Sequence, residues 1–192
     1  MLYCTVYVQQ LTIQIRLIPS SLVTLIFSFQ SLIFLKLSMF RLELPKPLQL
    51  PKSKSLHLNS VRFTARYNDC AGPFSTCYSW NTLVLRTCFL HKDAKVLCTY
   101  NSNLSSLNLQ DNTFQHKVVF STPNLSSLTI SDILGSNYDQ LSFSMSNLSF
   151  LETGNTHTSP GNIISVIIGW LQLLTNVKIL TFSSGIRNII LN

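Results

Sequence analysis

Apolar residues recur along the chain in a short frame, Leu-x-x-Leu-x-Leu, that returns at a near-constant interval. Three copies are almost identical. Residues 102–109 read Ser-Asn-Leu-Ser-Ser-Leu-Asn-Leu, residues 123–130 read Pro-Asn-Leu-Ser-Ser-Leu-Thr-Ile, and residues 146–153 read Ser-Asn-Leu-Ser-Phe-Leu-Glu-Thr. Looser copies lie at Val8/Leu11/Ile13, Leu32/Leu35/Leu37, Ser53/Leu56/Leu58, Trp80/Leu83/Leu85 and Val177/Leu180/Phe182. The frame starts are 8, 32, 53, 80, 104, 125, 148 and 177, a mean spacing of about 24 residues. The x-Leu-x-Leu part alternates with period two, the pattern of a short strand with one face buried. So short a strand cannot enclose its own apolar face, but identical neighbours stacked beside it can. The pattern predicts a solenoid with one coil per frame and the frame strands parallel and adjacent.

Leucine-rich repeats have a period of roughly 20–29 residues. Two frames also carry the longer signature of such repeats, with Asn or Cys three residues after the last leucine: Leu104/Leu107/Leu109/Asn112/Phe114 and Trp80/Leu83/Leu85/Cys88/Leu90. A buried amide or thiol there can satisfy backbone groups where the chain bends out of the sheet. The expected fold class is therefore α/β: a right-handed leucine-rich-repeat solenoid with parallel strands on the concave face and loops or short helices outside. Residues 1–192 form one domain of about eight repeats in this reading. Residues 163–175 are the clearest outer helix, with Asn162 as cap and Ile163, Ile164, Ile167, Ile168, Leu171 and Leu174 on one face. At about 13 residues it is too short to cross a bilayer.

Composition narrows the classes. Hydrophobic residues make up 46% and charged residues 11%, which excludes a disordered chain. Residues 17–35 are uncharged and long enough for a membrane span. Pro19, four serines, Thr24 and Gln30 oppose that, and Leu32 and Leu35 belong to the repeat frame. The expectation is no membrane segment. The net charge of +7 lies wholly within residues 1–66, with eight Lys/Arg against Glu43. Dense basic blocks and interleaved aromatics are missing, so we expect a steering field and no nucleic-acid site. Cys4, Cys70, Cys77, Cys88 and Cys98 are odd in number and irregularly spaced, a poor disulfide framework that fits a reducing compartment. No CxxC or histidine pair points to zinc.

Candidate chemistry is sparse. Glycine-rich phosphate loops, a G-x-S-x-G elbow and suitably spaced carboxylates are lacking, so we expect no enzyme, no cofactor and no metal. Cys70 and Cys77 flank a Gly72-Pro73 turn with His91 further on, but nothing in the sequence orients them as a thiol site. Asn103, Asn124 and Asn147 begin Asn-Leu-Ser sequons, which the repeat itself accounts for. What remains is a recognition surface. In each frame the third, fifth and seventh positions face away from the core. Lys36, His57 and Arg86 then form a positive track over three consecutive strands, with Asn59, Asn108 and Gln110 as amide donors and acceptors. These six are the expected partner-binding residues of the concave face, although a merely solvated face has the same composition.

The chain resembles the repeat region of plant F-box/leucine-rich-repeat proteins. The resembling residues are Ile18-Pro19-Ser20-Ser21-Leu22, Leu50-Pro51 with Lys54-Ser55-Leu56-His57-Leu58, and Asn81-Thr82-Leu83-Val84-Leu85-Arg86. Cys70 and Cys77 before that strand, and Trp170-Leu171-Gln172 with Asn176-Val177-Lys178, add to it. The resemblance covers roughly residues 8–192 and implies a surface that selects proteins for ubiquitination. An F-box before the first repeat and a complete C-terminal tail are not found, so the reading is a truncated member, and binding of a ubiquitin-ligase adaptor is not expected. It implies a protein partner on the concave face, no active site, and a cytoplasmic or nuclear location. The alternatives are a membrane-anchored or secreted repeat protein, or a gene fragment without function.

Overall fold

The frame leucines do lie side by side. The computed structural model describes residues 8–15, 20–43, 50–65, 70–74, 77–110, 112, 117–131, 153–157 and 179–182. In chain order its elements begin with β1 (Gln10–Ile15), α1 (Ser20–Phe27), β2 (Phe34–Glu43), β3 (Ser55–Phe63), β4 (Cys70–Ala71) and β5 (Thr82–Arg86). There follow β6 (Phe89–Leu90), β7 (Val96–Tyr100), β8 (Ser106–Gln110), β9 (Lys117–Ser121), β10 (Ser127–Ser131), β11 (Thr153–His157) and β12 (Ile179–Phe182). The main sheet runs β1-β2-β3-β5-β8-β10-β11-β12, every pairing parallel, and β6 extends it beside β3. The chain is a parallel β-solenoid.

Register follows the frame. Leu11, Leu35, Leu56, Leu83, Leu107 and Leu128 are successive lateral partners, and Ile13, Leu37, Leu58, Leu85, Leu109 and Ile130 form a second row. Leu35, Leu56 and Leu83 are 0% exposed, and Leu107 and Leu128 are 1% exposed. The first frame position is buried as well at Leu32, Ser53, Trp80, Leu104 and Leu125. Each fully buried leucine contributes about 1.5–3 kcal/mol, so these rows are the main source of cohesion. Ser53 puts a hydroxyl in that interior, and its Oγ lies 3.3 Å from the carbonyls of both Ile33 and Ser55. The polar intrusion is satisfied.

A repeated backbone device locks neighbouring coils before each strand. The carbonyl of Gln9 accepts from the N–H groups of Ile33 and Phe34, and that of Ile33 from Lys54 and Ser55. Lys54 does the same for Asn81 and Thr82, Asn81 for Ser105 and Ser106, and Ser105 for Ser126 and Ser127. One acceptor per coil thus fixes the entry of the next strand, which prevents slippage that would turn the leucines outward.

Three expectations need correction. First, the frame at 148 is displaced. Gly154 is the lateral partner of Leu128 and Thr156 that of Ile130, so the strand begins three residues late. The displacement makes the flanking coils equal in length, which keeps parallel strands level, and β-branched Thr153 and Thr156 suit a strand. Second, the outer segments of the middle coils are not loops and helices: β4, β7 and β9 form a second parallel sheet. Val96–Tyr100 alternates buried and half-exposed positions, with Leu97 and Thr99 inward, which is a strand's period rather than a helix's. Third, Cys70 and Cys98 are joined as a disulfide across β4 and β7, with Cα atoms 6.5 Å apart. Stacking brings together two cysteines 28 residues apart in sequence.

One helix occurs among the described residues. Val23, Ile26 and Phe27 of α1 are buried at helical spacing while Leu22 and Leu25 face outward. The uncharged stretch therefore divides between a short helix packed on the stack and the start of β2. No helix among the described residues is long and apolar enough to cross a membrane. The helix expected over residues 163–175 lies outside the described residues.

Candidate functional site

Strand alternation that buries the leucines turns the intervening side chains outward, and parallel register sets them in rows. One row runs Thr12, Lys36, His57, Val84, Asn108; the next runs Gln14, Ser38, Asn59, Arg86, Gln110. Over these rows lies a hollow of about 330 Å³, lined by Gln14, Lys36, Ser38, His57, Leu58, Asn59, Val84, Arg86 and Gln110. It carries two fixed cations, Lys36 and Arg86, and no carboxylate among its described lining. Strands are spaced about 4.8 Å apart, so the positions of Lys36 and Arg86, two strands apart, are separated laterally by roughly 10 Å.

Five of the six residues expected from sequence meet here: Lys36, His57, Asn59, Arg86 and Gln110. The positive track is diagonal, because Arg86 shares a row with Asn59 while Lys36 and His57 are direct partners. Asn108 sits beside Val84 outside the lining, and its Oδ1 is buried without a hydrogen-bond partner among the described residues. Gln14 and Ser38 join the hollow although sequence reasoning did not single them out. Lateral register alone brings them in.

Asn59 is the most constrained of the set. Its Nδ2 donates to Ser38 Oγ at 3.0 Å. Its Oδ1 accepts from Ser60 Oγ at 3.1 Å and from Thr87 Oγ1 at 2.5 Å. Ser60 and Thr87 both have left-handed backbones, with φ of 61° and 47°. For a β-branched residue such as Thr87 that is a true outlier. Each such residue costs about 1–3 kcal/mol and persists only where its surroundings hold it. The Thr87 N–H donating to the Gln110 carbonyl at 2.9 Å is part of that hold. Both strands turn the sheet's corner at this point: β3 changes parity after Asn59, so that Val61 and Phe63 are buried, and β5 ends at Arg86.

His57 packs its ring edge-on against Phe34, with centroids 4.9 Å apart. Burial lowers its pKa from 6.5, and the Lys36 ammonium lowers it further. The imidazole is therefore neutral at neutral pH, and the fixed charge of the hollow comes from Lys36 and Arg86.

Other candidates resolve into structure. Asn112 is fully buried; its Oδ1 accepts the Cys88 N–H and its Nδ2 donates to the Leu85 carbonyl, both at 2.8 Å. Cys88, one coil earlier, directs its Sγ at the Leu58 carbonyl at 3.6 Å and the Arg86 carbonyl at 3.3 Å. Burial pushes its thiol pKa up to about 12, against weaker lowering by backbone hydrogen bonds, so it stays a protonated donor. The sequons serve the stack too. Asn103 Nδ2 donates to the Tyr78 carbonyl and Asn124 Nδ2 to the Ser102 carbonyl, while Ser105 and Ser126 donate to carbonyls one coil back. Asn147 lies outside the described residues. Cys70, Cys77 and His91 do not assemble: Cys70 is bonded to Cys98, Cys77 is buried, and His91 Nδ1 lies 2.8 Å from Asp93 Oδ1. Among the described residues no three His, Cys, Asp or Glu side chains are placed to hold a metal ion.

Fold and surface together define a parallel β-solenoid with a basic, polar hollow on the outward face of its main sheet. No protein-family model matches the chain, and no curated protein matches it.

Proposed function

We propose that the chain is a protein-recognition scaffold of leucine-rich-repeat type, binding a partner without turning it over. The observation that carries this reading is the rigid presentation of Lys36, His57, Asn59, Arg86 and Gln110 around one hollow by four strands. The repeat type is supported by the leucine rows and by Asn112 and Cys88, which serve the bend after the strand as that motif requires. The resemblance to F-box/leucine-rich-repeat proteins then assigns the face to selecting a protein, in the cytoplasm or nucleus.

The test replaces Lys36, His57 and Arg86 by alanine together. These side chains lie outside the core rows, so the melting curve should be nearly unchanged, since surface changes fall within about 0.5 kcal/mol. Proteins crosslinked to the parent chain in cells should be lost from the variant. A folded triple variant that retains the same crosslinked proteins at the same yield overturns the reading.

The Cys70–Cys98 bond favours a second reading, a secreted repeat protein, because disulfides persist in oxidising compartments. Asn103 and Asn124 are exposed sequon positions consistent with it. Glycosidase treatment of the same cell-expressed chain separates the two, since only a secreted, glycosylated chain shifts in mobility.

A further inference from the structure

We infer that the free edge of β1 joins that of a second copy of this chain, antiparallel and centred on Thr12, in a two-fold dimer with one continuous main sheet. The inference goes beyond the recognition reading and does not depend on it.

β1 ends the main sheet, and no described strand covers its outer edge. Burial falls accordingly. Leu11 and Ile13 are half-exposed, whereas their lateral partners Leu35 and Leu37 are fully buried. Val8, in the first frame position, is half-exposed too, while its counterpart Leu32 is buried. The core rows are thus uncovered at this end. On α1 of the same coil Leu22 and Leu25 are exposed, and α1 contains no charged residue. Unpaired backbone beside uncovered apolar rows is a template for one more strand.

The form of this edge suits a copy of itself. The Gln9 carbonyl points at β2, where it accepts from Ile33 and Phe34. Backbone groups of successive residues alternate sides along a strand, so the N–H and C=O of Gln10, Thr12 and Gln14 point to the open edge. By residue class, Gln10-Leu11-Thr12-Ile13-Gln14 reads the same in both directions. Set antiparallel about Thr12, it places Gln10 opposite Gln14, Leu11 opposite Ile13 and Thr12 opposite Thr12. The three residues whose backbone groups point outward then face one another, which is the hydrogen-bonded pairing of an antiparallel ladder. This parity also keeps the apolar residues of both copies on the core side. Each glutamine amide both donates and accepts, so glutamine can bond to glutamine across the pair. The charged residues and proline that guard many sheet edges are absent from Gln10–Ile15.

Charge does not forbid the contact. The net charge of +7 lies within residues 1–66 of each copy. Lys36 is the lateral partner of Thr12, and the two Lys36 side chains would stand three strand spacings apart, roughly 14 Å. That exceeds the Debye length of about 8 Å at physiological ionic strength, so their repulsion is largely screened. Added salt should therefore tighten the dimer, the reverse of an interface held by ion pairs. A six-residue edge is small against the roughly 1,200–2,000 Å² of a stable interface, so the dimer should be reversible.

The experiment is sedimentation equilibrium of the full chain over a range of concentrations at low and raised salt. A monomer–dimer equilibrium that shifts to dimer with salt is expected. Thr12→Lys sets two ammonium groups against each other at the axis and should weaken dimerisation by about ten-fold or more. Thr12→Pro removes an N–H that points away from β2 and should weaken it as well. Thr12 is exposed, so the urea midpoints should stay near that of the parent. An equimolar mixture of Thr12→Lys and Thr12→Glu should recover the dimer, which a folding defect would not produce. Thr129→Lys, at the same outward position of β10, should dimerise like the parent. A chain that is monomeric at every concentration overturns the proposal, whatever then covers the edge. Open-ended oligomers overturn the two-fold closure. A dimer that survives Thr12→Lys, that is lost in Thr129→Lys, or that the mixture fails to recover overturns the Thr12-centred pairing.

Discussion

Replacing Asn112 with alanine should destabilise the solenoid by about 2–5 kcal/mol, because two buried backbone groups lose their partners at once. The Leu85 carbonyl near the end of β5 and the Cys88 N–H three residues on, in the bend that follows, are both bonded by the Asn112 amide at 2.8 Å. Neither group has a route to water, since Cys88, Leu85 and Asn112 are each 0% exposed. An unsatisfied buried polar group costs about 1–3 kcal/mol, and whole domains are stable by only about 5–15 kcal/mol. The alanine variant should therefore lose a large part of its stability, read as a lower urea midpoint. Asn112→Cys should fall between the two. A thiol can repeat what Cys88 does for the Leu58 carbonyl one coil earlier, but it cannot accept as well the N–H that Asn112 Oδ1 now receives. An alanine variant within about 0.5 kcal/mol of the parent would show that the bend finds other partners.

The same residue shows which parts of the molecule the sequence made legible. Asn112 and Cys88 stand at a fixed distance from leucines that recur with a constant period, so both their place and their task follow from the repeat. The leucine rows follow for the same reason: apolar residues at alternate positions have one way to be buried when identical strands stack. Lys36, His57 and Arg86 were readable as outward residues because alternation leaves them no other direction.

Elsewhere the signal fails for physical reasons. In the second sheet β7 turns Thr99 as well as Leu97 inward and so lacks an apolar alternation, and β4 has only two residues. The Cys70–Cys98 pairing depends on that sheet and was hidden with it. At residues 148–151 a strong local leucine pattern competes with equal coil length, and the β10–β11 register puts Gly154 where a leucine was expected. In the hollow, the Asn59 network rests on left-handed backbones at Ser60 and Thr87. A glycine or asparagine would have announced such a conformation, but serine and threonine do not. Sequence thus placed Lys36 and Arg86 on the outward face, while the bonds that orient the Asn59 amide became visible only in the structure.

Trp80→Ala should be comparably damaging, by about 3–5 kcal/mol, through loss of volume rather than of hydrogen bonds. Trp80 takes the first frame position of its coil and is 1% exposed. Its ring meets Phe74 edge-on at 5.4 Å, and Phe74 meets Phe63 at 5.6 Å, so the trio joins the end of β3 to the coil that follows. The indole carries a liability: Nε1 is buried and has no hydrogen-bond partner among the described residues. Trp80→Phe removes that donor, which relieves about 1–3 kcal/mol, and gives up part of the ring volume at a similar cost. The phenylalanine variant should therefore unfold within about 1 kcal/mol of the parent, far above the alanine variant. Trp80→Leu, which copies the residue at Leu104 and Leu125 in the next two frames, should fall between them. Urea midpoints in the order Phe, Leu, Ala are expected if the coils share one continuous interior at this position. Equal midpoints for Phe and Ala would mean that the cavity collapses freely, and the aromatic trio would then have no role in joining β3 to the next coil.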